Sequence, residues 1–315
     1  MLQYSIQNKV VYEIVNYARM LIPKVFYRHK LHTILPYIQT HSNYNQIQQR
    51  VEYYCNIPIH STLNDTAIEL RELTYRKKLR TYFFDLVEFT RYFDETYRIC
   101  YEFGDVTHIP QVPTIVKSRP IMQGNGNSVL FKLNKIRHFK WIQDDMPFQN
   151  KKDILIGRMS VYQPHRLQFY DMYFDSVFCD LGQVNTRKGN TRYIKPFMSI
   201  AKQLEYKYIL CLEGNDVASN LKWVMSSNSI AVMPTPKFES WFMEGTLIPD
   251  YHYIHIADDY SNVEEKLHYY SEHPHKAIEI IQHAHEFVSQ FMDIEVENLV
   301  AIQVLKTYFE KTNRK

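Results

Sequence analysis

Apolar residues recur at helical spacing early in the chain, at Val10-Val11, Ile14-Val15, Ala18 and Leu21-Ile22. Pro23 interrupts, and Leu31, Ile34-Leu35 and Ile38 resume the pattern up to His41-Ser42-Asn43. Residues 47–54 and a longer amphipathic stretch over 66–89 complete a mainly helical first hundred residues. From Tyr101 the pattern shortens to strands and loops: 101–103 runs into the turn Gly104-Asp105, 108–113 is extended, and 115–120 is a strand entering a loop. Gly124-Asn125-Gly126-Asn127 has the composition of the most flexible point in the chain, and residues 144–152, with their charges and Pro147, make the best linker. Strands and helices alternate beyond it. Ile154-Leu155-Ile156, 208–212, 230–233 and 253–256 read as strands; 167–178, 194–204, 218–226, 263–270, 274–292 and 296–309 read as helices, with Ser261 and Glu264 spaced as a capping box. That alternation predicts a parallel sheet with covered faces, hence a Rossmann-like second half.

At 315 residues the chain suits two domains better than one core. We expect an N-terminal domain over 1–150, a second over 151–295, and a terminal helix over 296–315. A balance of 45% hydrophobic and 23% charged residues excludes disorder, and a formal charge of +3 is too mild to call for nucleic acid. It permits peripheral contact with anionic glycolipid or a membrane surface. The basic cluster Arg76-Lys77-Lys78 with Arg80 reads either as a solvated helix face or as such a contact. No run approaches the ~18 apolar residues of a membrane span, which leads us to expect a cytoplasmic protein, soluble or at the inner face of the membrane. Cys55, Cys100, Cys179 and Cys211 show no metal or disulfide spacing. Tyr and Phe are abundant, at 25 and 18, which suits a sugar or nucleotide ligand and suits a biased composition equally.

The most informative stretch is 207–233, which reads as strand, tight turn, helix, strand. Such a unit directs the first N–H groups of its helix toward whatever lies above the strand's carboxyl end, and an anion is the natural guest. An ordinary crossover explains the spacing equally well, because a full Gly-x-Gly-x-x-Gly is missing. Within the unit, Gly214, Asn215, Asp216, Val217, Ala218, Ser219 and Asn220 offer backbone N–H and neutral donors. Lys222 offers charge if it faces the ligand and is otherwise a surface lysine. Arg158, directly after the first strand of the second half, suits phosphate through its planar fork, with Arg166 a companion eight residues on. Glu239, beside Trp241, reads as a ribose ligand or as a surface loop carboxylate. Asp105 reads, on the residues alone, as a turn aspartate. The adjacent pairs Asp144-Asp145 and Asp258-Asp259 point to different sides of a strand and no Asp-x-Asp occurs, so neither a metal nor another cofactor is expected.

The run Leu212-Glu213-Gly214-Asn215-Asp216-Val217-Ala218-Ser219-Asn220-Leu221-Lys222-Trp223, the strand at 228–232 and Pro249-Asp250-Tyr251-His252-Tyr253-Ile254 resemble the donor-binding half of glycosyltransferase family 90. This CAP10-type group includes bacterial lipopolysaccharide A proteins and animal protein O-glucosyltransferases. Gly157-Arg158, Asp105 and Arg50-Val51-Glu52-Tyr53-Tyr54 extend the resemblance upstream. It departs where many members carry an arginine two residues before the helix lysine; here the residue is Asn220. The resemblance implies an α/β, GT-B-like fold, two Rossmann-like domains facing a cleft behind a helical N-terminal region, with the terminal helix packing back on the first domain. It implies an inverting, metal-independent transfer of a hexose or pentose from a nucleotide donor, UDP above others, to a cell-surface glycan such as lipopolysaccharide. In that reading Asp105 is the general base, and Arg158, the 214–220 turn, Lys222 and Glu239 serve the donor. A non-catalytic nucleotide-sugar or glycan-binding protein of the same fold is the alternative from another class; a nucleic-acid-binding protein is the third reading.

Overall fold

The computed structural model describes residues 8–59, 61–75 and 77–313. Two compact units divide the chain. The first holds residues 1–140, 238–243 and 291–315, and the second holds 141–237 and 244–290.

In the first unit, α1 (Lys9–Met20), α2 (Lys24–Thr40), α3 (Tyr44–Tyr54) and α4 (Arg80–Thr90) appear where the helical spacing placed helices, and Pro23 caps α2. α3 buries Ile47, Arg50, Val51 and Tyr54, one face at i, i+3, i+4, i+7, and packs on the terminal helix Ile294–Thr312. The stretch over 66–89 is not one helix. Ile68–Glu69 pairs with Arg98–Ile99, and the N–H groups of Leu70 and Arg71 go to the carbonyls of Tyr97 and Glu95, so tertiary partners take backbone groups a helix would have used. A three-stranded parallel sheet follows, β1 (Tyr101–Glu102), β2 (Thr114–Val116) and β3 (Ser128–Leu130), with β2 central. The Gly124 to Asn127 turn is pinned rather than loose. Asn125 and Asn127 donate their side-chain amides to the carbonyls of Pro120, Pro110 and Gln111, and a Cβ on Gly126 would lie 2.6 Å from the carbonyl oxygen of Asn56.

The second unit is built on five parallel strands: β4 (Lys152–Met159), β5 (Cys179–Gln183), β6 (Tyr206–Leu210), β7 (Ile230–Met233) and β8 (Ile254–His255). Their order across the sheet is β8-β7-β6-β4-β5. This is a doubly wound arrangement in which the chain reverses direction between β4 and β6. Leu155, Ile156, Ile209, Leu210 and Val232 are fully buried, which is why these strands read as continuous apolar runs. Helices Pro164–Tyr173, Val263–Glu272 and Pro274–Ser289 supply Phe169, Tyr170, Leu267 and Ile280 to the same core. Segment 144–152 belongs to this unit, where Asp144 accepts from Lys151 Nζ at 2.8 Å and from the N–H of Asn228 at 2.9 Å.

Three local expectations are not met. Residues 194–204 yield only Ile200–Gln203 as helix, because Pro196 holds Lys195 extended and Lys195 N–H joins the Gln183 carbonyl at 3.1 Å. The capping box at Ser261 does not form. Ser261 donates to Asp259, and Asn262 occupies the cap position while its side chain accepts from Ala257 N–H. The helix after the 213–220 turn runs only over Leu221–Met225.

Asp85 is fully buried on α4, accepting from the Tyr12 hydroxyl at 2.7 Å and from the N–H of Lys135 at 2.8 Å. Burial pushes its carboxyl up to about 6, against the pull of Lys135. The folded state therefore holds this proton more tightly than the unfolded chain, where Asp titrates near ~3.9. Stability from this group is fully present below that value and is lost as pH rises through about 6, roughly 3 kcal/mol in all. In urea titrations from pH 4 to pH 7, wild type should lose stability relative to Asp85→Asn by about that amount; a difference independent of pH would refute the assignment.

Candidate functional site

In open α/β sheets, ligands bind beyond the carboxyl ends of the strands where strand order reverses. Here that point lies between β4 and β6, and the loops leaving them are Ser160 to Gln163 and Cys211 to Asn220. Arg166, 8% exposed in the first turn of helix Pro164–Tyr173, ties the two loops together. Its Nη1 donates to the carbonyl of Ser160, Nη2 to that of Leu212 and Nε to that of Glu213, each at 2.7 Å. Beside it His165 Nε2 donates to the Glu213 carbonyl at 2.8 Å. Burial, reinforced by the charges of Arg166 and Lys237, lowers the His165 pKa, so the ring is neutral at pH 7 and leaves Nδ1 as an acceptor.

The loop after β5 closes the third side. Val161 N–H donates to Asn185 Oδ1 at 2.7 Å, and Gln183 Nε2 donates to the carbonyls of Asn185 and Lys188. Gly189 has φ of +90°, and a Cβ there would come within 1.9 Å of the Val161 carbonyl, so only glycine permits this approach. Lys188 sits over the Tyr162 ring at 5.3 Å. Gln163 is buried, and its Oε1 has no hydrogen-bond partner, while Nε2 reaches Asn215 at 3.3 Å. A buried amide oxygen without a donor is what a ligand N–H or hydroxyl would satisfy.

The residues singled out from the sequence divide between this edge and other places. Gly214, Asn215 and Ser219 lie on the loop after β6, Asn215 exposed and Asp216, Val217 and Ala218 buried; Gly214 N–H goes to the Asp216 carbonyl. Asn220 turns inward and donates to the Leu210 carbonyl at 2.9 Å. Lys222 is not a surface lysine: it is fully buried and paired with Glu244. Arg158 points along the sheet to β5, donating to the Asp180 carbonyl at 2.6 Å and to its carboxylate at 2.9 Å, so a phosphate would have to compete with Asp180 for the same guanidinium. Glu239 is not a surface carboxylate either. It lies buried in the first unit, on Phe238–Ser240, and binds Arg119 Nε at 2.7 Å and the Tyr53 hydroxyl. Arg76 lies outside the described residues; Lys77 and Lys78 are exposed on a short turn, and Arg80 pairs with Glu13.

In the first unit Asp105 follows β1, an edge strand and the first of three. Its carboxylate is about one-third exposed and receives the Nζ of Lys117, which is 2% exposed, at 2.7 Å. A cavity of roughly 470 Å³ in the same unit is lined by Glu102 and His108, which flank Asp105 in sequence, together with Asn64 and Tyr101. Sequence reasoning missed His165, Gln163 and Lys188. Only His165 and Gln163 had a signal, namely their place between a predicted strand and helix.

Arg166→Lys tests the clamp. A lysine cannot reach three carbonyls from one planar fork, and charge-assisted hydrogen bonds contribute ~1.5–3 kcal/mol. Nucleotide affinity should fall about tenfold or more, read by calorimetry, whereas undiminished binding would detach Arg166 from the site.

The model of the family described as Glycosyl transferase family 90 matches residues 180–313, from β5 through the terminal helix. The chain is also 42% identical over 263 residues to the O-glucosyltransferase LpsA of Dichelobacter nodosus, covering 84% of this chain and 82% of that one. Likeness over that share of both chains identifies a sugar-transferring enzyme, and the chain belongs to glycosyltransferase family 90.

Proposed function

We propose that this enzyme transfers a glucosyl unit from a UDP-sugar to a hydroxyl of a cell-surface glycan such as lipopolysaccharide, with inversion and without a metal ion. The observation that carries the reading is the convergence of three loops on the strand-order reversal, with Gln163 Oε1 buried and unpartnered among them. The name of the relative from Dichelobacter nodosus supports glucose among hexoses and pentoses. In this reading the donor belongs to the second unit and the acceptor to the first, the division of labour of a GT-B enzyme. The backbone of the 214–219 loop and the exposed Arg187 and Lys188 meet the diphosphate, while Gln163 and neutral His165 read the polar edge of the nucleoside. Arg158 and Lys222 then act on the donor from behind, through Asp180 and Glu244; Glu239, buried in the first unit against Arg119, is left out of the donor site.

Transfer requires that a base accept the acceptor hydroxyl's proton as its oxygen bonds to the anomeric carbon, while the diphosphate departs from the opposite face. Asp105 takes the proton, and Lys117 fixes its carboxylate. The test is a melting series with UDP, GDP and ADP followed by transfer from UDP-glucose in EDTA. A ligand at one hundred times its Kd stabilises the folded state by about 2.7 kcal/mol. UDP alone should raise the melting temperature, and transfer should persist with the chelator. Equal response to all three nucleotides would remove the UDP assignment, and activity lost in EDTA but restored by Mg²⁺ would remove metal independence.

A further inference from the structure

Helix α1 buries little of its apolar surface. Tyr12 and Asn16 are its buried positions; the rings of Tyr12 and Tyr17 meet Phe84 of α4 edge-on, and polar contacts flank them: Tyr12 OH to Asp85 at 2.7 Å, Glu13 to Arg80 at 2.6 Å and Arg19 to Glu88 at 2.7 Å. Val10, Ile14 and Leu21, at i, i+4 and i+11, form an exposed apolar stripe, 86% exposed at Leu21 and 62% at Ile14. Val25 and Phe26, at the start of α2, are exposed by 60% and 61%. Exposed apolar side chains gathered along one helix and the start of the next mark a contact with another apolar phase.

The surrounding charge decides which phase. Residues 9–32 carry Lys9, Arg19, Lys24, Arg28 and Lys30 against one carboxylate, Glu13. Among the described residues Lys9 and Lys30 form no ion pair, and Lys24 and Arg28 lie only within 3.8 and 3.7 Å of Glu95. A second copy of the chain on this face would set like charge against like. Anionic headgroups would instead meet the cations while the acyl boundary receives the apolar side chains. No helix among the described residues is long and apolar enough to cross a membrane, so such a contact is superficial.

We propose that the α1–α2 face docks in the plane of an anionic lipid bilayer, with Val10, Ile14, Leu21, Val25 and Phe26 below the headgroups and Lys9 and Lys30 among them. The proposal stands apart from the donor assignment, because it is read from binding without turnover. The experiment is cosedimentation with vesicles of phosphatidylglycerol and phosphatidylcholine, against phosphatidylcholine alone, at low and high salt. Wild type should bind the anionic vesicles, less so at high salt, and Ile14→Glu/Leu21→Glu should bind them about tenfold or more weakly. Lys9→Glu/Lys30→Glu, which breaks no ion pair, carries the test if the first variant melts early, and it should weaken binding in the same direction. Wild type left in the supernatant, or binding unaltered in both variants, would overturn the proposal. A concentration-dependent dimer abolished by Ile14→Glu/Leu21→Glu would assign the face to a second copy and overturn it too.

Discussion

Asp105→Asn should reduce sugar transfer by ~10²–10⁴-fold while leaving the fold and nucleotide binding in place. Asparagine keeps the size of the side chain and an oxygen that can accept from Lys117, so the 2.7 Å contact has a replacement and the edge of β1 is not disturbed. What it removes is proton affinity. The turn reading predicts the reverse, since asparagine serves a turn as well as aspartate does and turnover would stay near wild type. Lys117→Met separates positioning from proton transfer. It removes the ammonium contact without replacing the carboxylate, and is expected to cost less in kcat than Asp105→Asn while shifting KM for the acceptor. The measurement is transfer at saturating donor, paired with a nucleotide-binding isotherm on the same preparation. Wild-type turnover in Asp105→Asn would leave the first unit without its base and move the search to another carboxylate, with Glu102 on the neighbouring cavity first in line.

How much of this was legible depended on whether a feature was local. The strands of the second unit could be read because a parallel sheet buried on both faces demands uninterrupted apolar runs, as at Leu155-Ile156 and Ile209-Leu210. The turn after β6 could be read from Gly214-Asn215-Asp216. The direction of a side chain could not. Arg158 and Arg166 both lie near the end of β4, yet the first projects from the strand toward Asp180, while the second reaches back from a helical turn to three carbonyls. Ion pairs closed over long sequence distances were equally hidden. Arg119 with Glu239, and Lys222 with Glu244, turn residues that read as surface groups into buried ones. α1 shows the limit from the other side: its periodicity was plain, but the pattern alone could not say that the apolar stripe faces outward.

The buried cluster around Glu297 supplies the largest expected effect on stability. Glu297 opens the terminal helix at 5% exposure, with Arg50 Nη2 at 2.5 Å, Lys132 Nζ on the other oxygen and Trp241 Nε1 donating at 2.9 Å. Arg50 also lies over the Trp241 ring at 5.6 Å and the Phe291 ring at 4.7 Å. One carboxylate thus compensates two cations away from water. Glu297→Gln keeps the shape and the acceptor but removes the negative charge that both cations face, for which the expected cost is ~3–5 kcal/mol. The pH dependence has a definite sign. Burial pushes the Glu297 carboxyl up, but Arg50 and Lys132 outweigh it and hold the folded pKa below the ordinary glutamate value. Its contribution is therefore present above the unfolded pKa of ~4.3 and disappears as pH falls through the lower folded value. Wild type and Glu297→Gln should differ most above pH 5 and converge in acid, the opposite trend to Asp85. Urea unfolding of both proteins from pH 3 to pH 7 reads this directly. A difference under ~1 kcal/mol at pH 7 would mean that water or relaxation screens the cations and that the cluster is not what holds α3 to the terminal helix.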